Sequence, residues 1–238
     1  MLVYFISYAT FAKMKVIITS ATNKEILQIR KQIVSCVPEE ISKSSVSFHI
    51  SGVGMLASCF TISKLIFEQK PDLILQVGIA GSFDSKHEIG RVVVAKSDCL
   101  GDMGVEEEEL FKDVFDMELA EKDNFPFSNK RLQNSLIQKY NLLYLAEVNG
   151  ITVNEVTTKQ RRIQQLKEKY NCEIESMEGA ALHYCCLQTD TSFLQIRSIS
   201  NQVGERDKRK WNVQQALNNL TTAVVSYVEI LTKPNTDI

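Results

Sequence analysis

The stretch Leu73-Ile-Leu-Gln-Val-Gly78-Ile-Ala-Gly81-Ser82 decides the fold. Apart from Gln76, its first five positions are apolar on both alternating sets, so neither face of the run is built for water. This is the pattern of a strand covered on both sides, as in a parallel sheet between helices. The two glycines that follow let backbone approach a flat ligand where the strand ends, and open α/β sheets bind ligands at the carboxyl ends of their strands. Working outward, further strand-like runs occur at Val16 to Ile18, Val46 to Ile50, Val92 to Ala95, Leu142 to Val148, Cys172 to Glu175 and Phe193 to Ile199. Between them lie helical patterns at Asn23 to Cys36, Met55 to Glu68, Asn129 to Lys139, Lys159 to Tyr170, Glu178 to Leu187 and Trp211 to Leu231. The alternation predicts an α/β protein, a three-layer sandwich whose mixed, twisted central sheet is flanked by helices.

The chain has 238 residues, 44% of them hydrophobic, and with 10 Gly, 4 Pro and no linker-like segment it reads as one domain over 14–238. Residues 1–13, ahead of Met14-Lys-Val-Ile-Ile, read as an N-terminal extension, disordered or arising from a start codon assigned too early. A formal net charge of -2 gives no field that draws the chain to nucleic acid or a membrane surface, and no run reaches the roughly 20 apolar residues of a membrane span. The six cysteines show neither C-x-x-C pairs nor zinc-finger spacing, and they sit mostly in apolar runs. They read as reduced thiols of a cytoplasmic protein. Leu100 to Ser128, with Glu106 to Glu109 and then Phe111, Phe115, Phe125 and Phe127, is expected to be a long excursion from the sheet with its own apolar patch.

Four further segments carry candidate chemistry, each beside a plainer reading. Gly52-Val-Gly54-Met-Leu-Ala57 has the look of a dinucleotide fingerprint, but the next strand ends in Gln76 and Val77 where an acid is wanted, so a tight strand-to-helix turn is the better account. Gln76 to Ser82 is either a ligand-facing end or an ordinary turn. In Cys172-Glu-Ile-Glu175-Ser-Met177-Glu178-Gly-Ala-Ala181, a strand runs into a small-residue helix with Glu178 at the junction. That acid is either functional or only a first-turn residue favoured by the helix dipole. Ile196-Arg197-Ser-Ile-Ser200-Asn201 ends a strand on a polar cluster that simple turn chemistry also explains.

Together with Lys15-Val-Ile-Ile-Thr-Ser-Ala-Thr-Asn-Lys-Glu25, these segments resemble the purine nucleoside phosphorylase and nucleosidase superfamily from residue 14 to about 231. Within it the pattern is similar to 5′-methylthioadenosine/S-adenosylhomocysteine nucleosidases, and more so to futalosine hydrolases of menaquinone synthesis. Gly101-Asp-Met-Gly-Val-Glu106, continuing to Phe111-Lys-Asp-Val-Phe115, is the segment similar to the latter.

The resemblance implies hydrolysis of a purine N-glycosidic bond without metal or organic cofactor, on a small nucleoside. It assigns Glu25 the proton of the attacking water, although Thr22-Asn-Lys-Glu25 also fits a capping box. Glu178 accepts from the ribose hydroxyls and Met177 packs under the sugar, while Asn201 faces the departing base with Ser200 orienting its amide. Asn201 stands where the methylthioadenosine enzymes have Asp. An amide N–H suits the oxygen of a 6-oxopurine, which an ionised Asp repels, so this departure argues for hypoxanthine or guanine. Ile79, Ala80, Gly81 and Val156 are expected to sandwich the purine. Trp211 is placed near the 5′ substituent, and a cation among Arg206, Lys208, Arg209 and Lys210 is expected to meet the 5′ carboxylate of futalosine, unless the run is simply a solvated charge cluster before the last helix. His183 reads as a core or interface residue. Phosphorolysis is disfavoured because neither Gly78 to Ser82 nor Lys15 to Glu25 supplies an Arg, Lys24 being the one cation in reach. A homodimer is implied, with Leu100 to Val105 closing a neighbour's pocket. The alternatives are a nucleosidase for methylthioadenosine, S-adenosylhomocysteine or aminodeoxyfutalosine, and a non-catalytic nucleoside-binding module.

Overall fold

A computed structural model describes residues 14–36 and 46–232; the proposed extension at 1–13 lies outside the described residues. Among them, nine strands share one mixed sheet: β1 (Val16–Ser20), β2 (Val46–Ile50), β3 (Leu73–Ser82), β4 (Val92–Asp98), β7 (Phe127–Ser128), β8 (Arg131–Gln133), β9 (Ala146–Thr152), β10 (Ile174–Ser176) and β11 (Phe193–Gln202). The pairs β1 with β2, β1 with β3 and β3 with β11 are parallel, so their carboxyl ends converge on one edge. At that edge the sheet curls on itself. β3 pairs with β11, β11 with β4, β4 with β9, β9 with β10, and β10 returns to β3. Ala80, Val93, Val148, Ile174 and Ile199, one from each of these five strands, pack together as an apolar cluster.

Helices cover both faces because the strands are apolar on both. α1 (Asn23–Cys36) buries Ile26, Ile29 and Ile33, the stripe expected of an amphipathic helix. It packs with α6 (Val213–Thr232) over Val16, Ile18, Leu73, Leu75 and Leu194. Ile17, Ile74 and Phe193, the alternate positions, meet Ile62, Leu65 and Ile66 of α2 (Met55–Gln69) and Leu182, Cys185 and Cys186 of α5 (Gly179–Gln188). The α/β sandwich predicted from the alternation is what forms. All six cysteines are free thiols, four of them buried, and no helix among the described residues is long and apolar enough to cross a membrane.

Two elements differ from expectation. Asn129 to Lys139 is not a helix. Asn129 and Lys130 adopt positive φ (47° and 64°) and turn β7 into β8, and the four-residue α3 (Ile137–Tyr140) follows. Arg131 fixes this geometry, donating to Ser97 Oγ (2.8 Å), Tyr170 O (2.7 Å) and Gly150 O (2.8 Å). The strand expected from Leu142 to Val148 starts later, at Ala146, because the Asn141 side chain bonds both the carbonyl and the N–H of Leu145 and holds a turn there. The excursion from Leu100 forms the hairpin of β5 (Gly104–Glu107) and β6 (Leu110–Asp113), with Phe115 and Phe127 edge to face at 5.1 Å. α4 (Gln160–Tyr170) lies beside it and stacks Arg162 on Phe111 at 3.8 Å.

Candidate active site

The carboxyl ends of β1, β3, β10 and β11 and the first turns of α1 and α6 enclose a cleft of about 340 Å³. Glu25, Glu178, Asn201, Ile79, Ala80, Gly81, Val156, Met177, Ser200 and Trp211 all line it.

Glu25 occupies the third position of α1. Its Oε2 accepts from the Thr22 N–H (3.1 Å) and Thr22 Oγ1 (2.9 Å), so the reach-back bond of a capping box does form. Its Oε1 accepts from the Ile79 N–H (3.3 Å) at the cleft wall. Capping and facing the cleft are therefore compatible, one oxygen for each. Gly78 makes this possible: a Cβ there would stand 3.0 Å from Glu25 Oε1 and 2.5 Å from Arg197 Nη1.

Glu178 precedes α5 but does not cap it with its side chain. Its carboxylate turns into the cleft, where Oε1 accepts from the Gly54 N–H (3.1 Å) and Oε2 pairs with Arg197 Nη1 (3.5 Å). Gly52 and Gly54 both have positive φ (82° and 86°), which explains the glycines of that turn. The N–H they present meets a protein carboxylate, so the dinucleotide resemblance ends there.

Asn201 reaches the cleft through an irregularity. Ile199 is level with Ala80 and Asn201 with Gly81, so Ser200 is an extra residue in β11. Without that bulge Asn201 would fall level with Ser82 and face the opposite side of the sheet. Ser200 Oγ donates to Asn201 Oδ1 (2.8 Å), and Asn201 Nδ2 donates to Gln202 O (2.9 Å). The amide oxygen is occupied, and one N–H is left to point elsewhere.

The charged turn after β11 follows the plainer of its two readings, a solvated run, and not the one that brings Arg206 to the substrate. Arg206 is exposed and is not among the residues lining the cleft. Arg209 pairs with Asp207 (2.8 Å) and Lys210 with Glu205 (2.8 Å), both largely in solvent. Arg209 and Lys210 are thus taken up by the acids of their own turn, and Trp211 is what this segment brings to the cleft, its indole N–H donating to Glu205 O (2.9 Å). Lys24 is the lysine that lines the cleft.

Two buried residues around the cleft, Arg197 and Glu175, have no role in the sequence argument. Arg197 is 2% exposed and donates to Gln76 Oε1 (2.9 Å) as well as pairing with Glu178. An Arg inside an apolar strand must be paired, and that rule was the available signal. Glu175, level with Gly81 on β10, accepts from the Thr157 N–H (3.1 Å), and burial raises its carboxyl above the usual range. His183 is fully buried, its Nδ1 2.9 Å from Leu132 O, as a core residue. Among the described residues no three His, Cys, Asp or Glu side chains are grouped to hold a metal ion.

A family model described as the phosphorylase superfamily matches residues 16–229, and the chain belongs to that superfamily. The futalosine hydrolase of Thermus thermophilus is 25% identical over 177 residues, 73% of this chain and 77% of the relative. The 5′-methylthioadenosine/S-adenosylhomocysteine nucleosidase of Bacillus velezensis is 21% identical over 235 residues, 91% of this chain and 99% of the relative. A solved futalosine hydrolase mutant of Helicobacter pylori superposes with a TM-score of 0.74 at 18% identity, covering 91% of this chain and 99% of that one. It is a likeness of fold.

Proposed function

We propose that the chain hydrolyses the N-glycosidic bond of a 6-oxopurine nucleoside, and that futalosine is its substrate, with hypoxanthine released for menaquinone synthesis in the cytoplasm. The observation that supports this choice of base is the Asn201 amide. With its oxygen bound by Ser200, it offers a donor to the O6 and N7 edge of a 6-oxopurine.

In this reading water adds to C1′ from the side of Glu25. Its proton passes to Glu25 Oε1, the C1′–N9 bond breaks, and the base leaves with the electron pair and is protonated from solvent, to which Glu25 then returns the proton it took. Glu178 grips the ribose hydroxyls over Met177. Arg197, between Glu178 and Gly78, holds the Glu178 carboxylate in place. Asn201 stabilises the charge that develops on the base.

Arg197 revises the argument against phosphorolysis, since a guanidinium does lie beside Gly78. The argument survives on charge balance: that cation is paired with Glu178, and Glu25 stands at the same point, so an entering phosphate meets two carboxylates. Lys24 is the candidate for the 5′ carboxylate in place of Arg206. Lys24→Gln should raise KM for futalosine and leave that for inosine unchanged; equal effects on both would remove this role.

A homodimer is part of the proposal. Leu56, Phe60 and Phe67 on one side of α2 are 88%, 70% and 71% exposed, continuous with Val53 in the cleft wall and an apt surface for a second copy. Sedimentation would show it.

The second reading, an adenine nucleosidase, draws on the length of the match to the Bacillus velezensis relative. One assay separates the two: incubation with futalosine, inosine and methylthioadenosine, following free base by chromatography. Hypoxanthine from futalosine is expected. Adenine from methylthioadenosine alone would transfer the assignment to the second reading, and no base from any substrate would make the chain a binding module.

A further inference from the structure

The Gly101-Asp102-Met-Gly104 segment takes no part in the chemistry above, yet it is tied to one wall of the cleft. Gly101 N–H donates to Thr152 O (2.8 Å), and a Cβ on Gly101 would come 2.7 Å from Val153 Cγ1 and 2.8 Å from Ile151 Cγ1. Glycine is what allows this segment to lie against the end of β9. Asp102 then reaches the loop that follows. Its Oδ2 accepts from the Asn154 N–H (2.5 Å) and the Glu155 N–H (3.1 Å), and its Oδ1 accepts from Asn154 Nδ2 (3.2 Å). Two residues further on, the Thr157 N–H donates to Glu175 Oε1 (3.1 Å). Arg162 closes the arrangement from α4 by donating to Gly101 O (2.6 Å).

The loop so held, residues 153–158, carries Val156 into the cleft. Its place opposite Asn201 follows from the sheet register. Glu175 and Asn201 are both level with Gly81, on the strands to either side of β3, so Gly81 is the floor between the amide and the loop. A heterocycle that meets Asn201 along one edge therefore has the loop along another. This placement rests on the reading of Asn201 as the base-facing group.

We propose that Asp102 and Glu175 are positioning residues for the purine wall: two carboxylates from outside the loop pin it at both ends, and so set affinity for the base without touching the bond that breaks. Backbone N–H groups fixed by a carboxylate are charge-assisted and hold a loop more firmly than neutral bonds would. Wall residues that contact the base equally before and during bond cleavage act on binding and leave the chemical step unchanged.

The test uses the full chain with whichever nucleoside the wild type cleaves. Asp102→Ala, losing three hydrogen bonds to the loop, should raise KM and weaken binding of free product base about ten-fold, with kcat within about two-fold. Asp102→Asn keeps an acceptor for the backbone and should rescue most of the loss. Combined with Glu175→Gln, the effect on base binding should be less than additive, as for two ends of one clamp. A merely structural role predicts the reverse: a lower apparent kcat from a smaller folded fraction, with KM and base affinity unmoved, and that result or no change at all would overturn the proposal. If Asp102→Ala does not fold, Asp102→Asn is read in the same way. Release of adenine instead of hypoxanthine by the wild type would remove the choice of base, while the clamp is still judged on KM for the adenine nucleoside.

Discussion

Glu25 divides its two oxygens between two tasks, and this makes its chemistry separable from its structural role. Gln at this position preserves an acceptor for Thr22 and so keeps the cap, but it cannot take a proton from water. Glu25→Gln should therefore keep the cap and fold, giving up about 1 kcal/mol for the Ile79 N–H that loses its acceptor, and lose about 100 to 10,000-fold in base release, measured as kcat with saturating nucleoside. A loss of stability with activity per folded molecule preserved would make Glu25 a capping residue only. Glu25, Glu178 and Asn201 were singled out by the resemblance, each at a local signal that also had a plainer reading: a helix start, a strand-to-helix junction, a strand end; all three line the cleft. Arg197 and Glu175 were not singled out. Their partners, Gln76 and Glu178 for one and Thr157 for the other, lie on different elements, and no spacing along the chain announces them.

Strands and helices with one clear period were read correctly, as in α1 and in Leu73 to Val77 of β3, because burial on a face or on both faces leaves its mark on every residue; β3 continues to Ser82, through the glycines that read as its end. Failure came where side chains from elsewhere decide the backbone. The stretch at Asn129 to Lys139 has helix-compatible residues, yet Arg131 is drawn into bonds with Ser97, Gly150 and Tyr170, and a hairpin results. The bulge at Ser200 was equally invisible, although it is what brings Asn201 to the cleft. At the start of α5 the glycine is a matter of space. A Cβ on Gly179 would stand 2.2 Å from Asp98 Oδ2 and 2.3 Å from Gln195 Nε2. Gly179→Ala, favourable by helix propensity alone, should instead destabilise by about 1–3 kcal/mol in urea unfolding. A gain in stability would mean that Asp98 and Gln195 move aside freely.

Beneath the cleft the whole molecule encloses two ionisable groups whose pH responses oppose one another. Burial lifts the Asp98 carboxyl from 3.8 to about 6, so its contribution is full below pH 3.8 and is lost as pH rises through 6. Burial lowers His183 from 6.5 to about 4, so its contribution is full above pH 6.5 and is lost as pH falls through 4. Between about pH 4 and 6 the two slopes cancel. Asp98→Asn, which keeps an acceptor for the Cys99 N–H and Thr152 Oγ1, removes one of them. Relative to the wild type it should gain about 3 kcal/mol on going from pH 4 to pH 7 in urea titrations, and a constant difference between the two proteins would refute this pairing.

The same curled sheet that buries these groups sets Asn201, Gly81 and Glu175 level on three adjoining strands, and the choice of leaving group rests on the first of them. The direct measurement is the ratio of hypoxanthine released from futalosine to adenine released from methylthioadenosine, for wild type and for Asn201→Asp. The account predicts a large ratio for the wild type and a fall of about 100-fold or more in the variant, from the loss of the donor to O6. A ratio that stays the same on exchanging amide for acid would contradict it.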